Sequence, residues 1–231
     1  MKINATFQRV VALFAPVLLT VIVVGALEAD AQLRMLNDRG DLLWQGHDGN
    51  DYEIFLYSKG AFTQITDNEY SEDTPQINSR GQIVWIGYDG NDNEIFLYSK
   101  GTITQLTDNE YDDEGPQINS TGQIVWIGYD GNDDEIFLYS KGIITQLTDN
   151  EYNDYEPRIN SKGQIVWTGY GSADEVFLYS RGTITQLTDT DYSEYGTQIN
   201  SKGQVVWYGY DGDHEDTFLY SRGTITLIPG D

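Results

Sequence analysis

Beyond about residue 32 the apolar positions come in short runs, broken every few residues by small polar turns. Within the stretch from Pro116 to Asn150 the pattern predicts four extended pieces: Gln117 to Asn119, Gln123 to Tyr129, Glu135 to Tyr139 and Ile143 to Thr148. Between them stand Asn-Ser-Xaa-Gly and Ser-Lys-Gly, which put glycine where a tight hairpin needs a positive φ, so the pieces join as an antiparallel meander. In Gln123-Ile-Val-Trp-Ile and Ile136-Phe-Leu-Tyr apolar residues follow one another without polar alternation. A strand of that kind is covered on both faces of its sheet.

The same unit recurs along the chain. Trp44, Trp85, Trp126, Trp167 and Trp207 are 41, 41, 41 and 40 residues apart, and nearly every neighbouring position repeats with them. Identical sheets that cover one another on both faces predict an all-β fold, a five-bladed β-propeller of four-stranded antiparallel blades with about 41 residues per blade. The blades run over about 32–72, 73–113, 114–154, 155–194 and 195–231. A linear stack of the same units is the alternative, and it leaves an apolar face open at each end. Gln32 to Asn37 supplies the innermost strand of the first blade and Thr224 to Ile228 the outermost strand of the last. No strand is left over to cross between first and last blades, so closure rests on side-chain packing or on a second copy of the chain.

The succession Gln-Leu-Thr, an acidic stretch, Pro, Asn-Ser-Xaa-Gly, an apolar strand ending in Trp, Asp-Gly, then Glu-Ile-Phe-Leu-Tyr resembles the WD40-like (PD40) propeller repeats of TolB-type proteins, over residues 34 to 228. The chain departs from that pattern in having five repeats where the TolB propeller has six blades, and in lacking an N-terminal α/β domain. It also has Asn-Ser-Arg, Asn-Ser-Thr or Asn-Ser-Lys before the turn glycine, where the family usually has Ser-Pro-Asp. The resemblance implies a periplasmic or extracellular interaction module.

Residues 1–31 have a different composition. Lys2 and Arg9 precede an uncharged apolar run from Val10 to Ala26, followed by Ala29-Asp30-Ala31. This reads as a secretory signal peptide, with an uncleaved anchor as the lesser reading. The expected location is secreted or periplasmic, in a bacterial envelope, with no stable membrane insertion after cleavage. The chain has no cysteine, so stability in that compartment comes from packing or bound ions.

The net charge is −24. Such a surface repels nucleic acid and favours metal ions or basic partners. Sorted by place in the meander, the charges separate. With the four strands of a blade lettered A to D in chain order, Arg39, Lys59, Arg80, Lys100, Lys141, Lys162, Arg181, Lys202 and Arg222 fall in the A–B and C–D turns at one end of the blades. Nearly all the acids of residues 32–231 fall in the B–C loops and the blade-to-blade D–A loops at the other.

Two sets of acids are candidate cation ligands. The B–C loops carry Asp48, Asp51 and Glu53, then Asp89, Asp92 and Glu94, then Asp130, Asp133 and Glu135, each set within six residues and tightened by a glycine. These are hard oxygen ligands of the kind Ca²⁺ prefers, although the spacing is not that of an EF-hand and the same residues are ordinary turn formers. Blade four shortens this loop to Gly171-Ser-Ala-Asp174-Glu175, which removes the set. The second set, Glu72, Asp113, Asp154 and Glu194, stands 13 residues before each later tryptophan and is expected at the rim of the central channel.

Catalytic chemistry has little to work with. His47 and His214 occupy non-equivalent positions, and Ser58, Ser99, Ser140, Ser180 and Ser221 are one turn position five times over. A glycosidase needs carboxylates in different environments, whereas the repeat gives each acid the same surroundings. The sequence therefore points to a non-catalytic binding or scaffold module, with a protein or glycan partner at the acidic face and a second copy of the chain as a further candidate. The alternative is a lectin-like propeller, with sugar stacked on Tyr88, Tyr129, Tyr170 and Tyr210. The tryptophans end apolar strands and read as core.

Overall fold

The computed structural model describes residues 34–170, 173–210 and 213–229. The leader expected over residues 1–31 lies outside them, as do the tips of the B–C loops in blades four and five.

Every regular element among the described residues is a strand. The first blade is β1 (Arg34–Leu36), β2 (Leu42–His47), β3 (Tyr52–Ser58) and β4 (Ala61–Gln64). The second is β5 (Asp73–Ile77), β6 (Ile83–Tyr88), β7 (Asn93–Ser99) and β8 (Thr102–Gln105), and the third is β9 (Asp113–Ile118), β10 (Ile124–Tyr129), β11 (Asp134–Ser140) and β12 (Ile143–Gln146). The fourth is β13 (Asp154–Ile159), β14 (Ile165–Tyr170), β15 (Asp174–Ser180) and β16 (Thr183–Gln186); the fifth is β17 (Ser193–Ile199), β18 (Val205–Tyr210), β19 (Glu215–Ser221) and β20 (Thr224–Ile228). Each blade is one antiparallel meander made from one contiguous stretch of chain. This is the five-bladed, four-stranded arrangement that the repeat predicts.

Each C–D turn carries a basic residue at positive φ, from Lys59 to Arg222, followed by a glycine also at positive φ. Two successive left-handed residues make the turn whose twist matches the strands it joins. The tight-turn end is thereby set.

The core lies in the seams between blades. In the seam of blades two and three, Val84, Ile95 and Leu97 meet Ile124 and Trp126, with Ile118, Phe137 and Tyr139 packed against them. The same positions fill the next two seams, with Trp167 and Trp207 in place of Trp126. Each blade thus has a rear face bearing the tryptophan and a forward face bearing the valine and leucine. Four of the five tryptophans are about 1% exposed, and burying a side chain of this size contributes about 3 kcal/mol. Trp85, Trp126, Trp167 and Trp207 each stack on the phenylalanine of the neighbouring strand, with ring centroids 5.7–5.9 Å apart.

Two expectations change. The innermost strand is longer than predicted: β9 starts at Asp113 rather than Gln117, and reaches it through a register shift opposite Val125 and Ile127. Thr74, Gly115, Glu156 and Gly196 take left-handed φ at this bulge. The blade boundary therefore falls just before Asp113, Asp154 and Glu194, not after them. The ring, moreover, is not closed. Each blade packs on the next in chain order, and among the described residues no extensive packing joins the last sheet to the first. Because every sheet is built from its own segment, no strand of one terminus completes the sheet of the other.

Candidate functional site

The strand order places the A–B and C–D turns at one end of the blades and the B–C and D–A loops at the other. At the loop end, Asp89 closes its B–C loop on itself. Its Oδ1 accepts from the backbone N–H of Asn91 at 2.9 Å, and its Oδ2 accepts from Gln105 Nε2 at 3.1 Å. Asp130 does the same with Asn132 and Gln146, and Asp48 with Asn50. The N–H of Asn91 holds the Asp89 carboxyl below the usual carboxylate range. The glycine of each loop sits at φ 105–126°, where a side chain is strained.

The second and third acids of the loop are placed differently. Each set Asp48–Asp51–Glu53, Asp89–Asp92–Glu94 and Asp130–Asp133–Glu135 brings one oxygen per residue within 4.8 Å of the others. Glu53, Glu94 and Glu135 are fully buried. Both carboxylate oxygens of Asp51 and of Asp133, one of Asp92, and Oε2 of Glu53 and Glu94 are buried without a hydrogen-bond partner.

The acids expected at a channel rim are instead buried, each in its own seam: Glu72, Asp113 and Asp154 are 3% exposed and Glu194 1%. No grouping among the described residues brings the four together. Each meets the buried glutamate of the preceding blade, giving the pairs Glu53–Glu72, Glu94–Asp113, Glu135–Asp154 and Glu175–Glu194. An asparagine in the D–A loop bridges the pair. The Asn109 N–H donates to Glu94 Oε1 at 2.8 Å, and its Nδ2 donates to Asp113 Oδ2 at 2.9 Å. Asn150 repeats this on Glu135 and Asp154, Asn68 on Glu53 and Glu72, and Thr190 takes the role in the last seam. Trp126 Nε1 donates to Asp113 Oδ1 at 2.9 Å and Trp167 Nε1 to Asp154 Oδ1 at 3.0 Å. In these two seams the tryptophan is thus core and second anchor of the seam acid at once, whereas Trp207 Nε1 is buried without a partner.

Space for the carboxylate comes from a glycine. Asp113 lies opposite Gly128, where a Cβ would collide with the carboxylate and come within 3.0 Å of the Phe137 ring. Gly169 does the same for Asp154. The sequence reading missed both this glycine and the bridging asparagine. Each recurs at a constant distance from the tryptophan in a repeat otherwise read for its charges, and that was the available signal.

Burial is the main cause of the titration behaviour. It pushes Glu72 up to about 8, with the Glu53 carboxyl across the seam acting in the same direction. Glu94, Asp154 and Glu194 rise to about 7, and Asp113 is raised as well, again through burial first. Two facing buried carboxyls are completed by a single proton or cation between them, since both cannot readily ionise there unaided; an oxygen stands unpartnered on Glu53, Glu72, Glu94, Glu175 and Glu194. A hard divalent ion fits the donor set, which is all oxygen and largely anionic.

The loop end also carries clefts, two of which open onto the seams. One of about 500 Å³ is lined by Asp149, Asn150, Tyr152, Trp167, Tyr170 and Phe177 among others, and the equivalent positions of the preceding blade line another of about 430 Å³. Tyr88, Tyr129, Tyr170 and Tyr210 are exposed, and Tyr129 stands edge-on to Tyr111 at 5.0 Å. A third cavity, of about 590 Å³, has Asp92, Glu110, Asp112, Glu114 and Asp134 in its wall.

No family model and no curated protein matches the sequence. Solved structures do share the fold. The chain superposes on a puromycin-hydrolyzing peptidase of Mycobacterium tuberculosis with a TM-score of 0.64 at 11% identity, over 84% of this chain and 37% of that one. It is similar to virginiamycin B lyase from Staphylococcus aureus with a TM-score of 0.57 at 16% identity, over 84% and 68%. For the acylaminoacyl peptidase of Pyrococcus horikoshii the values are 0.55 and 12%, over 78% and 32%. The chain spans about a third of the length of the two peptidases. At these identities the likeness shows the β-propeller fold alone, and no TolB-type family is shown by it.

Proposed function

We propose that this chain is an exported, non-catalytic propeller module that binds through its acidic loop end, with divalent cations, calcium foremost, held in blades one to three. The observation that carries this reading is the set of buried carboxylate oxygens without partners on Asp51, Glu53, Asp92, Glu94 and Asp133. Uncompensated buried charge is costly, and a cation removes that cost where solvent cannot. Each ion would take Asp51 and Glu53, Asp92 and Glu94, or Asp133 and Glu135 as its core ligands. Asp48, Asp89 and Asp130 would reach it with the oxygen not held by their Asx turns, and Asp89 and Asp130 would share with the ion the oxygen that accepts from Gln105 and Gln146. Glu72, Asp113 and Asp154 stand behind the ions, so binding would tighten each seam and expel its proton. The acid-walled cavity of about 590 Å³ suits a basic segment of a partner protein.

Titration calorimetry with calcium tests this. The expected result is uptake of about three ions, with a heat that depends on the ionisation enthalpy of the buffer because protons leave. The melting midpoint rises by several degrees and returns with chelator, as for any ligand held only by the folded state. Glu94→Gln removes one ion from the count. An unchanged midpoint at millimolar calcium would overturn the cation part of the reading.

A lectin-like module is the second reading, favoured by the equivalent tyrosine- and tryptophan-lined clefts of successive blades. Multivalent capture of a glycan surface, lost on Tyr129→Ala with Tyr170→Ala, would support it over a protein partner.

A further inference from the structure

The four seams are copies of one interface, always the rear face of a blade on the forward face of its predecessor. Because the ring is open, one example of each face is left over. On the rear face of blade one, Leu36, Leu42, Tyr57 and Phe62 form a row across the sheet, with Trp44 and Phe55 in the next row. Leu36 is 72% and Phe62 68% exposed. Trp44 and Leu42 are half-buried where their equivalents Trp85 and Ile83 are wholly buried. On the forward face of blade five, Val206 pairs with Leu219 and Tyr208 with Thr217, which in turn faces Ile228. Val206 and Leu219 are half-exposed where Val125 and Leu138 are sealed. Most positions at both faces carry the residue types that fill the inner seams, with Thr217 standing where Ile136 does and Tyr208 where Ile127 does, and no described residue covers either face.

We propose that the rear face of blade one docks on the forward face of blade five of a second copy of this chain, reproducing the inner seam head to tail. The occupant follows from the four inner examples: no seam joins two rear faces or two forward faces, so each open face is complementary to the other and not to itself. Such a contact is heterologous, and it propagates until a ring closes. The docking rows are apolar, whereas the chain carries a net charge of −24. Added salt therefore strengthens the association by screening the repulsion between copies.

The test uses the purified full-length chain in chelator, so that it stands or falls apart from the calcium reading. Light scattering on a sizing column is expected to show species larger than one chain, growing with concentration and with salt. Leu36→Glu and Leu219→Glu each break one face at a half-exposed or exposed position, so circular dichroism and melting should match the parent. Each variant alone is expected to lose association by at least about tenfold and run as a single chain. Mixed, they retain one sound face of each kind and form a two-chain species that grows no further. A parent that remains a single chain across micromolar to hundreds of micromolar overturns the proposal, whether the cause is self-closure or residues 1–33 covering the face. Continued association of either variant alone overturns it too, because that is the mark of like faces meeting.

Discussion

The two ends of each blade are joined to the next blade in opposite ways. At the turn end an asparagine ladder runs through the molecule. Nδ2 of Asn37, Asn78, Asn119 and Asn160 each donates to the carbonyl of the equivalent asparagine one blade on, at 2.9–3.0 Å. Their Oδ1 atoms accept backbone N–H groups of their own turns. The ladder amides are all paired, the buried Asp41 carboxylate accepts from Asn37 and Ser58 and meets Arg39, and Arg39 and Arg80 add a further bond each to the next turn. At the loop end the joint is two buried carboxyls bridged by Asn68, Asn109 or Asn150, or by Thr190 in the last seam, with an oxygen left unpartnered in three of the four pairs. One end is complete by itself; the other is complete only with something added. The binding proposed above is assigned to the incomplete end, because there an added ion or proton would remove a cost that the fold alone leaves standing.

The largest loss of stability is expected at the complete end. Asn119→Ala removes the bond to Asn160 and leaves the N–H groups of Thr121 and Gln123 without their acceptor. A loss of about 3 kcal/mol is expected in urea unfolding, at about 1 kcal/mol per bond, and calcium should leave that loss unchanged.

The next effect is the pH dependence of the incomplete end. Glu72, Glu94, Asp154 and Glu194 have folded-state values of about 7–8, above their unfolded ones. The folded state therefore binds the extra protons. Their contribution is whole below about pH 4 and is lost as pH rises through 7–8. Discounted for solvent at the loop end, the four seams amount to a few kcal/mol, so the midpoint should fall by roughly 5–10 °C between pH 6 and pH 9 in chelator. Saturating calcium should flatten that slope. Asp113→Asn takes the charge out of one seam and should raise the midpoint at pH 9 by a few degrees, with little change at pH 5.

The smallest effect concerns the bulge that carries the seam acid. Thr74 holds a φ of 45° with its hydroxyl buried and unpartnered, where blades three and five have Gly115 and Gly196. Thr74→Gly should stabilise the protein by about 0.5–1 kcal/mol, measurable by chemical unfolding, if relief of the left-handed strain exceeds the backbone entropy that glycine adds.

Much of this was legible beforehand. The Trp spacing, the turn glycines and the non-alternating strands named the blades and their order, because each depends only on residues close in sequence. Ser99 and its equivalents close the third strand of each blade just before the turn rather than standing in it, and Gln82, Gln164 and Gln204 donate to Ser99, Ser180 and Ser221. The loop sets with Asp89 and Asp130 come together as their spacing suggested. The pairing of Glu94 with Asp113 was not legible: 19 residues separate them, and they meet only because consecutive blades pack face to face. Read by position alone, Asp113 looked like a solvated rim acid.

The sequence by itself determined the unit, its strands, its turns and the sorting of charge to two ends, since those follow from local backbone preference and from a pattern repeated every 41 residues. Only the tertiary structure decided that the ring stays open, and that the later acids lie inside the seams. Both depend on the angle and register at which one blade meets the next. That angle is a property of packed side chains across a seam, Trp126 against Val84 and Ile95, and no single repeat contains it.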